Sequence, residues 1–187
     1  MIKKCDWCVG NPLMEHYHDT EWGVPLHDDR KLFEFLVLDA MQAGLSWQTV
    51  LNKRENFRKA FDNYDIEKIA RYRQPKIEKL LQDKGIIRNK MKVNSAVTNA
   101  KAFLKVVDEF GSFDEFIWGF VDGKPIVNKW KTMREIPAES EESHRMSKEL
   151  KRRGFSFAGP TICYAFMQAA GMVNDHIVSC FRYREII

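Results

Sequence analysis

The stretch from Leu38 to Trp47 decides how the rest of the chain is organised, and it reads LDAMQAGLSW. It completes an apolar segment typical of a core helix that carries one acid, Asp39. Gly44 can take the left-handed turn that often ends a helix, and Ser46 can cap a second helix beginning at Trp47. This arrangement predicts a lined pocket with an apolar wedge at its rim. The local pattern allows equally a core helix whose acid faces solvent.

Composition and length narrow the class of protein. The chain has 187 residues and a formal net charge of +4, which permits a nucleic-acid partner without requiring one. No apolar run is long enough to span a membrane, and the N-terminus lacks the apolar stretch of a signal peptide. The four cysteines favour free thiols or metal ligands over a disulfide framework. We therefore expect a monomeric cytoplasmic protein with a single domain over residues 1–187.

Apolar periodicity and turn residues predict an all-α fold of many short helices. The predicted helices cover approximately residues 12–18, 29–43, 47–52, 54–61, 66–70, 74–84, 89–110, 113–120, 140–153 and 161–170, with a last helical turn holding His176 and Cys180. Period-two alternation occurs only within residues 122–130, which predicts at most a short extended pair there.

Side chains of the kind that bind metals lie at both ends of the chain. His176 and Cys180 are four residues apart, so on a helix they would share a face and could bind one ion together. Cys5 and His18 complete a Cys₂His₂ set that suits tetrahedral zinc. Cys8 leaves the choice of ligands open, because Cys5-x-x-Cys8 is itself zinc-knuckle spacing. The alternative is that His176 and Cys180 are ordinary buried residues.

A glycine-containing connection joins two apolar helices within residues 75–110, and its sequence from Gln82 to Arg88 is QDKGIIR. This is the arrangement of a helix–hairpin–helix motif, whose backbone N–H groups can hold a phosphate. Arg88, Lys90 and Lys92 add positive charge nearby. Short glycine turns also join helices in proteins of any function, so an ordinary connection is the alternative.

Aromatic side chains form a third constellation, consisting of Trp7, Tyr17, Trp22 and Trp47. Rings beside a carboxylate suit a pocket for a flat, cationic ring, through stacking and cation–π attraction. For any one of these residues taken alone, a place in the core is the alternative.

Several stretches, taken together, resemble the DNA-3-methyladenine glycosylase I family. They are Tyr17–Pro25 (YHDTEWGVP), Gln42–Trp47 (QAGLSW), Lys53–Phe57 (KRENF), Gly85–Arg88 (GIIR), Lys151–Phe155 (KRRGF), Gly159–Gln168 (GPTICYAFMQ) and Val173–His176 (VNDH). The resemblance runs in order from Cys5 to about Tyr183. It implies a helix–hairpin–helix enzyme that removes N3-methylated adenine from double-stranded DNA and releases the free base, without lyase activity.

The resemblance also implies roles for individual residues. It implies a structural zinc bound by Cys5, His18, His176 and Cys180, with Cys8 as an extra thiol. We further expect catalytic roles for Asp39, Tyr17 and Trp47, base contacts from Trp7, Trp22 and Gln42, intercalation by Leu45, and DNA-backbone contacts from Gly85, Arg88 and Lys90. Asp39 stands where the family usually has Glu, and Met14 matches a pocket-side Tyr of some relatives. These two departures concern the substrate contacts and leave the expected fold unchanged.

Two acids elsewhere are expected to have no role in catalysis, and two other functional classes stay open. Asp108 falls inside a helical pattern and is expected at the surface, whereas Asp175 is expected to cap the last helix. One open class is a zinc-stabilised module that binds damaged DNA without excising a base. The other is a metal- or thiol-dependent hydrolase using Cys5-x-x-Cys8, although four zinc ligands would leave no open coordination position and no His-x-Glu deaminase signature is present.

Overall fold

Eleven α-helices carry the fold over residues 3–186, which are the residues described by the computed structural model. They are α1 (Pro12–Thr20), α2 (Asp29–Gln42), α3 (Trp47–Leu51), α4 (Arg54–Ala60), α5 (Ile66–Ala70), α6 (Gln74–Gln82), α7 (Lys90–Phe110), α8 (Phe113–Trp118), α9 (Glu141–Arg152), α10 (Pro160–Ala169) and α11 (Phe181–Glu185). The ends of the predicted domain, residues 1–2 and 187, lie outside the described residues. Within 3–186, no helix has both the length and the apolar character needed to cross a membrane.

Helix α2 lies at the centre of the fold and carries Asp39 near its C-terminus. The carboxylate of Asp28 caps its N-terminus by accepting a hydrogen bond from the Lys31 N–H at 2.9 Å. The helix packs against α3, α7, α8 and α10, so that apolar side chains on most of its circumference are buried. The predicted core helix with one acid near its end is confirmed.

The turn that follows α2 forms as its residue types predict. Gly44 adopts a φ of 76°, in the left-handed region where glycine is favoured. The hydroxyl of Ser46 accepts a hydrogen bond from the Thr49 N–H at 3.2 Å and caps α3. Two central helices therefore meet at a tight turn with Leu45 at its tip.

The extended pair predicted within residues 122–130 has a different partner from the one expected. Strand β1 (Ile126–Val127) pairs in parallel with β2 (Val173–Asn174), and Ile126 lies opposite Val173. Local alternation cannot reveal a partner so distant in the chain. The pairing joins the segment after α8 to the segment after α10 within an otherwise helical fold.

The C-terminal segment departs further from the prediction. Helix α11 begins at Phe181, so His176 and Cys180 lie in non-helical backbone, and the prediction that they share a helix face is wrong. The pairing of β2 keeps the chain extended immediately before His176. The prediction for Asp175 is also wrong, because Cys180 is the N-cap of α11 and Asp175 is buried.

Gly171 allows α10 to end directly against the loop that carries Trp22. Its φ is 69°, and a Cβ atom at this position would lie 2.2 Å from the carbonyl carbon of Val24. The Gly23 N–H donates a hydrogen bond to the backbone oxygen of Gln168 at 3.0 Å, which ties the loop to α10. The loop and the helix together form part of a cavity wall.

Candidate functional site

A cavity of about 430 Å³ lies beside the C-terminal end of α2. All four residues of the predicted aromatic constellation line it, namely Trp7, Tyr17, Trp22 and Trp47. Its polar lining consists of Asp39, Gln42 and Gln168. The remaining wall is formed by Met14, Met133, Ile136, Pro137, Ala165 and Ala169. The structure therefore brings together the residues expected to bind or act on a base.

The aromatic wall is held by contacts between its own rings. The ring centroids of Tyr17 and Trp47 are 5.3 Å apart, and those of Trp7 and Trp22 are 5.2 Å apart in an edge-on arrangement. Pairs at such distances are favourable beyond the area they bury, so the rings form a preorganised surface. Burial, reinforced by the charge of nearby Asp39, raises the pKa of Tyr17 well above its usual range. The phenol therefore keeps its proton and remains a hydrogen-bond donor.

Asp39 is buried in this cavity without a protein partner for one of its oxygens. Its side chain is 4% exposed, and its Oδ2 makes no hydrogen bond to any residue in 3–186. Burial raises the pKa of Asp39 well above its usual range. The alternative in which this acid faces solvent is wrong.

Trp47 presents a second unpartnered polar atom. The buried Nε1–H of Trp47 has no acceptor among the described residues. Buried polar groups are almost always hydrogen-bonded, and exceptions require an explanation. The cavity therefore offers a ligand two unpaired polar groups, the carboxyl oxygen of Asp39 and the indole N–H of Trp47.

Leu45 lies at the turn after α2, with 43% of its surface exposed. A smaller cavity of about 190 Å³ lies beside it and shares Asp39 and Gln42 with the larger one. Exposed apolar side chains are common when single, but this one lies at a tight turn beside a pocket. The position agrees with the predicted wedge, whose contact with DNA stays a prediction.

Lys92 was expected to add positive charge at the surface, but it is buried and holds the turn that carries Leu45. Its side chain is only 6% exposed, and Nζ donates hydrogen bonds to the backbone oxygens of Met41 at 2.8 Å and Ala43 at 2.5 Å. A cation at this position satisfies the carbonyl groups at the C-terminus of α2. Burial lowers the pKa of Lys92. The contact places the N-terminus of α7 beside the wedge.

The connection between α6 and α7 differs in detail from the expected hairpin. Helix α6 ends at Gln82, before Gly85. The Gly85 N–H is already used, because it donates to Oδ1 of Asp83 at 2.7 Å. A Cβ atom on Gly85 would lie 3.2 Å from the side chain of Asn56. This glycine therefore permits close packing on α4, and its N–H is already engaged, while the expected contact of Gly85 with the DNA backbone stays a prediction.

Other groups in the same connection remain available. Arg88 and Lys90 are exposed. The backbone N–H groups of Ile87 and Arg88 make no hydrogen bond to another residue within 3–186. These groups directly precede α7, whose first turn carries Lys92 and its contact with the wedge turn. The arrangement suits an anionic backbone running past the pocket.

Cys5, His18, His176 and Cys180 form a buried cluster whose four ligand atoms lie within 4.8 Å of one another. The Sγ of Cys180 lies 3.5 Å from Nε2 of His18 and 3.5 Å from Nδ1 of His176, and these two nitrogens are 3.1 Å apart. Ligand atoms around a tetrahedral zinc with two sulfurs and two nitrogens are roughly 3.3–3.8 Å apart, given Zn–S bonds of about 2.3 Å and Zn–N bonds of about 2.0–2.1 Å. The two sulfur–nitrogen distances lie in that range and the nitrogen–nitrogen distance is slightly shorter, so the four residues are able to hold such an ion.

Groups around the cluster orient both histidines. Nδ1 of His18 lies 2.7 Å from a carboxylate oxygen of Asp19, and Nε2 of His176 lies 2.9 Å from the backbone oxygen of Trp22. Histidines that bind metals commonly donate their other ring N–H to such acceptors, which fixes the tautomer. The second of these contacts joins the cluster to the aromatic wall of the cavity.

Cys8 is separate from this cluster. Its Sγ donates to the backbone oxygen of Cys5 at 3.1 Å. Burial raises the pKa of Cys8 to about 11, so its thiol keeps its proton. In contrast, a hydrogen bond from Cys5 lowers the pKa of Cys180, which favours the thiolate that binds metals.

The sequence reasoning gave Gln168 no role and gave Asp175 a wrong one. Gln168 lines the cavity from the last turn of α10, and it hydrogen-bonds the buried Asp175. Both lie inside stretches that carry the family resemblance, which is the one signal that pointed to them. Neither the helical periodicity of α10 nor local spacing identifies their contact.

An aromatic cavity that contains an unpaired buried carboxyl is suited to a flat, positively charged ring.

A sequence profile of the methyladenine glycosylase family matches residues 7–183. The chain is 47% identical to DNA-3-methyladenine glycosylase 1 of Escherichia coli, over 97% of each chain. It superposes with a TM-score of 0.94 on a crystal structure of 3-methyladenine DNA glycosylase I, at 49% identity, covering 96% of this chain and 98% of that one. It is also similar to a Tyr-to-Phe variant of such an enzyme in complex with 3-methyladenine, with a TM-score of 0.92, 33% identity and coverage of 95% and 96%. The chain belongs to the methyladenine glycosylase family.

Proposed function

We propose that this chain is a DNA-3-methyladenine glycosylase that acts in base excision repair. It hydrolyses the N-glycosidic bond of a 3-methyladenine flipped out of double-stranded DNA. The observation that carries the proposal is Asp39, a buried carboxyl with an unpartnered oxygen inside an aromatic cavity. The names of its relatives support the choice of substrate, as does the neighbour in complex with 3-methyladenine.

The chemistry requires little from an acid or a base. Methylation at N3 makes the adenine ring cationic and weakens its bond to the sugar. When that bond breaks, its electron pair stays with the ring, so the base leaves neutral. Water supplies a hydroxyl group to the sugar carbon and releases a proton. The protein therefore acts by extracting, stacking and electrostatically stabilising the base, and we propose no lyase step.

Asp39 supplies the charge that matches the substrate. A buried carboxyl without a counterion holds its proton, and a cationic ring entering the cavity favours its ionisation. The carboxylate then accepts a hydrogen bond from the exocyclic amine. Because Asp is one methylene shorter than the usual Glu of the family, a bridging water completes this contact. Loss of the ring's positive charge on cleavage weakens the attraction and favours product release.

The aromatic residues bind the faces and edges of the ring. Trp47 stacks on the base and Tyr17 donates its phenolic hydrogen, whereas Trp7, Trp22 and Gln42 complete the wall. Stacking contributes about 1–3 kcal/mol per base. A cationic ring gains further from contact with aromatic faces. These contacts compensate the cost of unstacking the base from the duplex, which is a few kcal/mol.

Double-stranded DNA lies across the side that holds Leu45 and the α6–α7 connection. We propose that Leu45 fills the gap left by the flipped base, and that residues 75–110 act as a helix–hairpin–helix motif. Arg88 and Lys90, with free backbone N–H groups nearby, contact the phosphates. The Lys92 contact with α2 supports this placement, because it joins the wedge turn to the start of α7.

The Cys₂His₂ cluster holds a structural zinc in this proposal. Its ligands are Cys5, His18, His176 and Cys180, and four protein ligands leave the ion no open position for catalysis. The ion would join the arms at residues 1–20 and 172–187 and support Trp22. We also propose that the protein is a monomer in the cytoplasm, where thiol ligands stay reduced.

Excision of 3-methyladenine from methylated duplex DNA tests the function. Released base is identified by chromatography and compared with spontaneous release, for the native protein, Asp39→Asn and Asp108→Asn. Asp108 is an exposed acid on α7 and provides the matched control. We expect native and control proteins to release 3-methyladenine, and Asp39→Asn to lose at least tenfold in rate. Binding of methylated DNA without release by the native protein would indicate a damage-binding module instead.

A further inference from the structure

Asp175 is the centre of a buried polar network that reaches the base cavity. It is 1% exposed. Its Oδ1 accepts hydrogen bonds from Asn128 Nδ2 and Trp130 Nε1, each at 2.7 Å. Its Oδ2 accepts one from the Tyr164 hydroxyl at 2.7 Å and one from Gln168 Nε2 at 2.8 Å. Four donors fill the acceptor positions of one carboxylate, so the network is fully satisfied and rigid.

This network decides which atom Gln168 offers to the cavity. A carboxylate accepts hydrogen bonds and cannot donate them, so the Gln168 amide must turn its NH₂ group toward Asp175. The opposite orientation would put the amide oxygen against Oδ2 and lose the bond. Oε1 makes no hydrogen bond to another residue within 3–186, and Gln168 lines the cavity. The group left for a ligand is therefore an acceptor.

We propose that Gln168 is a specificity residue whose Oε1 accepts a hydrogen bond from the exocyclic amine of the bound base. Asp175 is the positioning residue that fixes the amide orientation. The inference rests on the proposed function, because that function supplies the purine. An amine carries two N–H groups, and Asp39 and Gln168 supply two acceptors in one cavity.

The same arrangement explains rejection of guanine derivatives. Adenine presents an NH₂ donor at the position where guanine presents the O6 acceptor. A guanine oxygen would meet acceptors on both Asp39 and Gln168 and lose its hydrogen bonds. Sites built to pair with a substrate N–H discriminate strongly against analogues that lack it. Gln168 would thus add to selectivity more than to stacking affinity.

Two free bases separate this role from a merely structural one. 3-Methyladenine carries the amine, whereas 3-methylpurine lacks it and keeps the ring and the methyl group. Dissociation constants for both are measured by calorimetry with the native protein, Gln168→Met and Gln74→Met. Met keeps the length of the side chain and removes the acceptor, and Gln74 is an exposed residue on α6 that serves as the control.

We expect the native protein to prefer 3-methyladenine, and Gln168→Met to lower that preference about tenfold, the effect of one hydrogen bond. In Gln168→Met, the dissociation constant of 3-methylpurine should change by less than a factor of about two to three. In Gln74→Met, the dissociation constants of both bases should stay within the same limit. Equal weakening of both bases by Gln168→Met would overturn the specificity role. If the native protein binds neither base, the proposed function has failed instead.

A measurement on the native protein covers the case in which variants fold poorly. The side-chain NH₂ group of Gln168, held by Asp175, should exchange slowly in NMR spectra before and after ligand binding. Its carbonyl carbon should shift on addition of 3-methyladenine and not of 3-methylpurine. In Asp175→Asn, the Gln168 amide is free to turn, and we expect a lower preference for 3-methyladenine. Rapid exchange of the NH₂ group in the native protein, or the same carbon shift with both bases, refutes the proposal.

Discussion

Replacing Asp39 with Asn should make the protein more stable at neutral pH while it loses activity. Asp39 is 4% exposed and its Oδ2 has no partner among the described residues. Burial raises the pKa of Asp39 above the ordinary value of 3.8. Below pH 3.8, folded and unfolded chains both hold the proton, so the ionisation of Asp39 does not lower the free energy of unfolding. Above that pH the unfolded chain ionises first, and stability falls until the pH passes the raised pKa of the folded protein.

The asparagine variant has no proton to lose and nearly the same shape. The amide is as short of partners as the carboxyl, so the gain comes from ionisation alone: at neutral pH the unfolded native chain gains free energy by losing this proton and the folded one does not. A difference of one pKa unit is worth about 1.4 kcal/mol, so we expect a gain of about 1–3 kcal/mol at neutral pH. For a chain of this length, each kcal/mol changes the melting temperature by about 2–4 °C. The variant should therefore melt roughly 2–12 °C above the native protein at pH 7 and close to it near pH 4.

Urea denaturation of both proteins across about pH 4 to 8 measures this difference. Any metal bound by the Cys₂His₂ cluster contributes to both proteins, so its pH dependence cancels when they are compared. Asp108→Asn provides the control, because Asp108 is exposed and should give a difference near zero at every pH. A difference between native protein and Asp39→Asn that stays constant with pH would contradict the account of a protonated, buried carboxyl.

Three further predictions concern the wedge, the metal and the α7 contact. Leu45→Ala should lower excision from duplex DNA at least tenfold and leave the dissociation constant of free 3-methyladenine unchanged. Leu13 is similarly exposed, and Leu13→Ala should change neither quantity. Equal loss of free-base binding in Leu45→Ala would contradict the assignment. Cys180→Ala should abolish stoichiometric zinc in purified protein and Cys8→Ala should keep it, so zinc loss in Cys8→Ala would show that the ligands are wrong. Lys92→Met should lower the free energy of unfolding by about 1–3 kcal/mol, because two carbonyl groups lose their donor; an unchanged urea midpoint would argue against that role.

Local signals predicted the centre of the fold well. The left-handed Gly44 and the cap at Ser46 each depend on residues within a few positions of one another, and both formed as expected. The placement of Asp39 in a pocket followed from the same stretch, although the alternative of a solvent-facing acid could be dismissed only when the packing around α2 was seen. The aromatic wall was predicted as a set, because four rings and one acid matched a known pattern.

The remaining features depend on contacts between distant parts of the chain. The pairing of β1 with β2 keeps the segment before His176 extended, so the ligands meet through tertiary structure and not along one helix face. The donors to Asp175 come from two segments, and no spacing rule links them. Lys92 looked like surface charge because its burial depends on where the end of α2 lies. Periodicity cannot predict such contacts.

Base release from duplex DNA by the unmodified protein tests the central claim most directly. Duplex DNA treated with a methylating agent is incubated with excess protein, and both the released base and the integrity of the strands are followed over time. The account predicts free 3-methyladenine well above spontaneous release, with abasic DNA whose strands remain intact until alkali is added. Release no faster than in buffer, or strand cleavage that accompanies release, would contradict it.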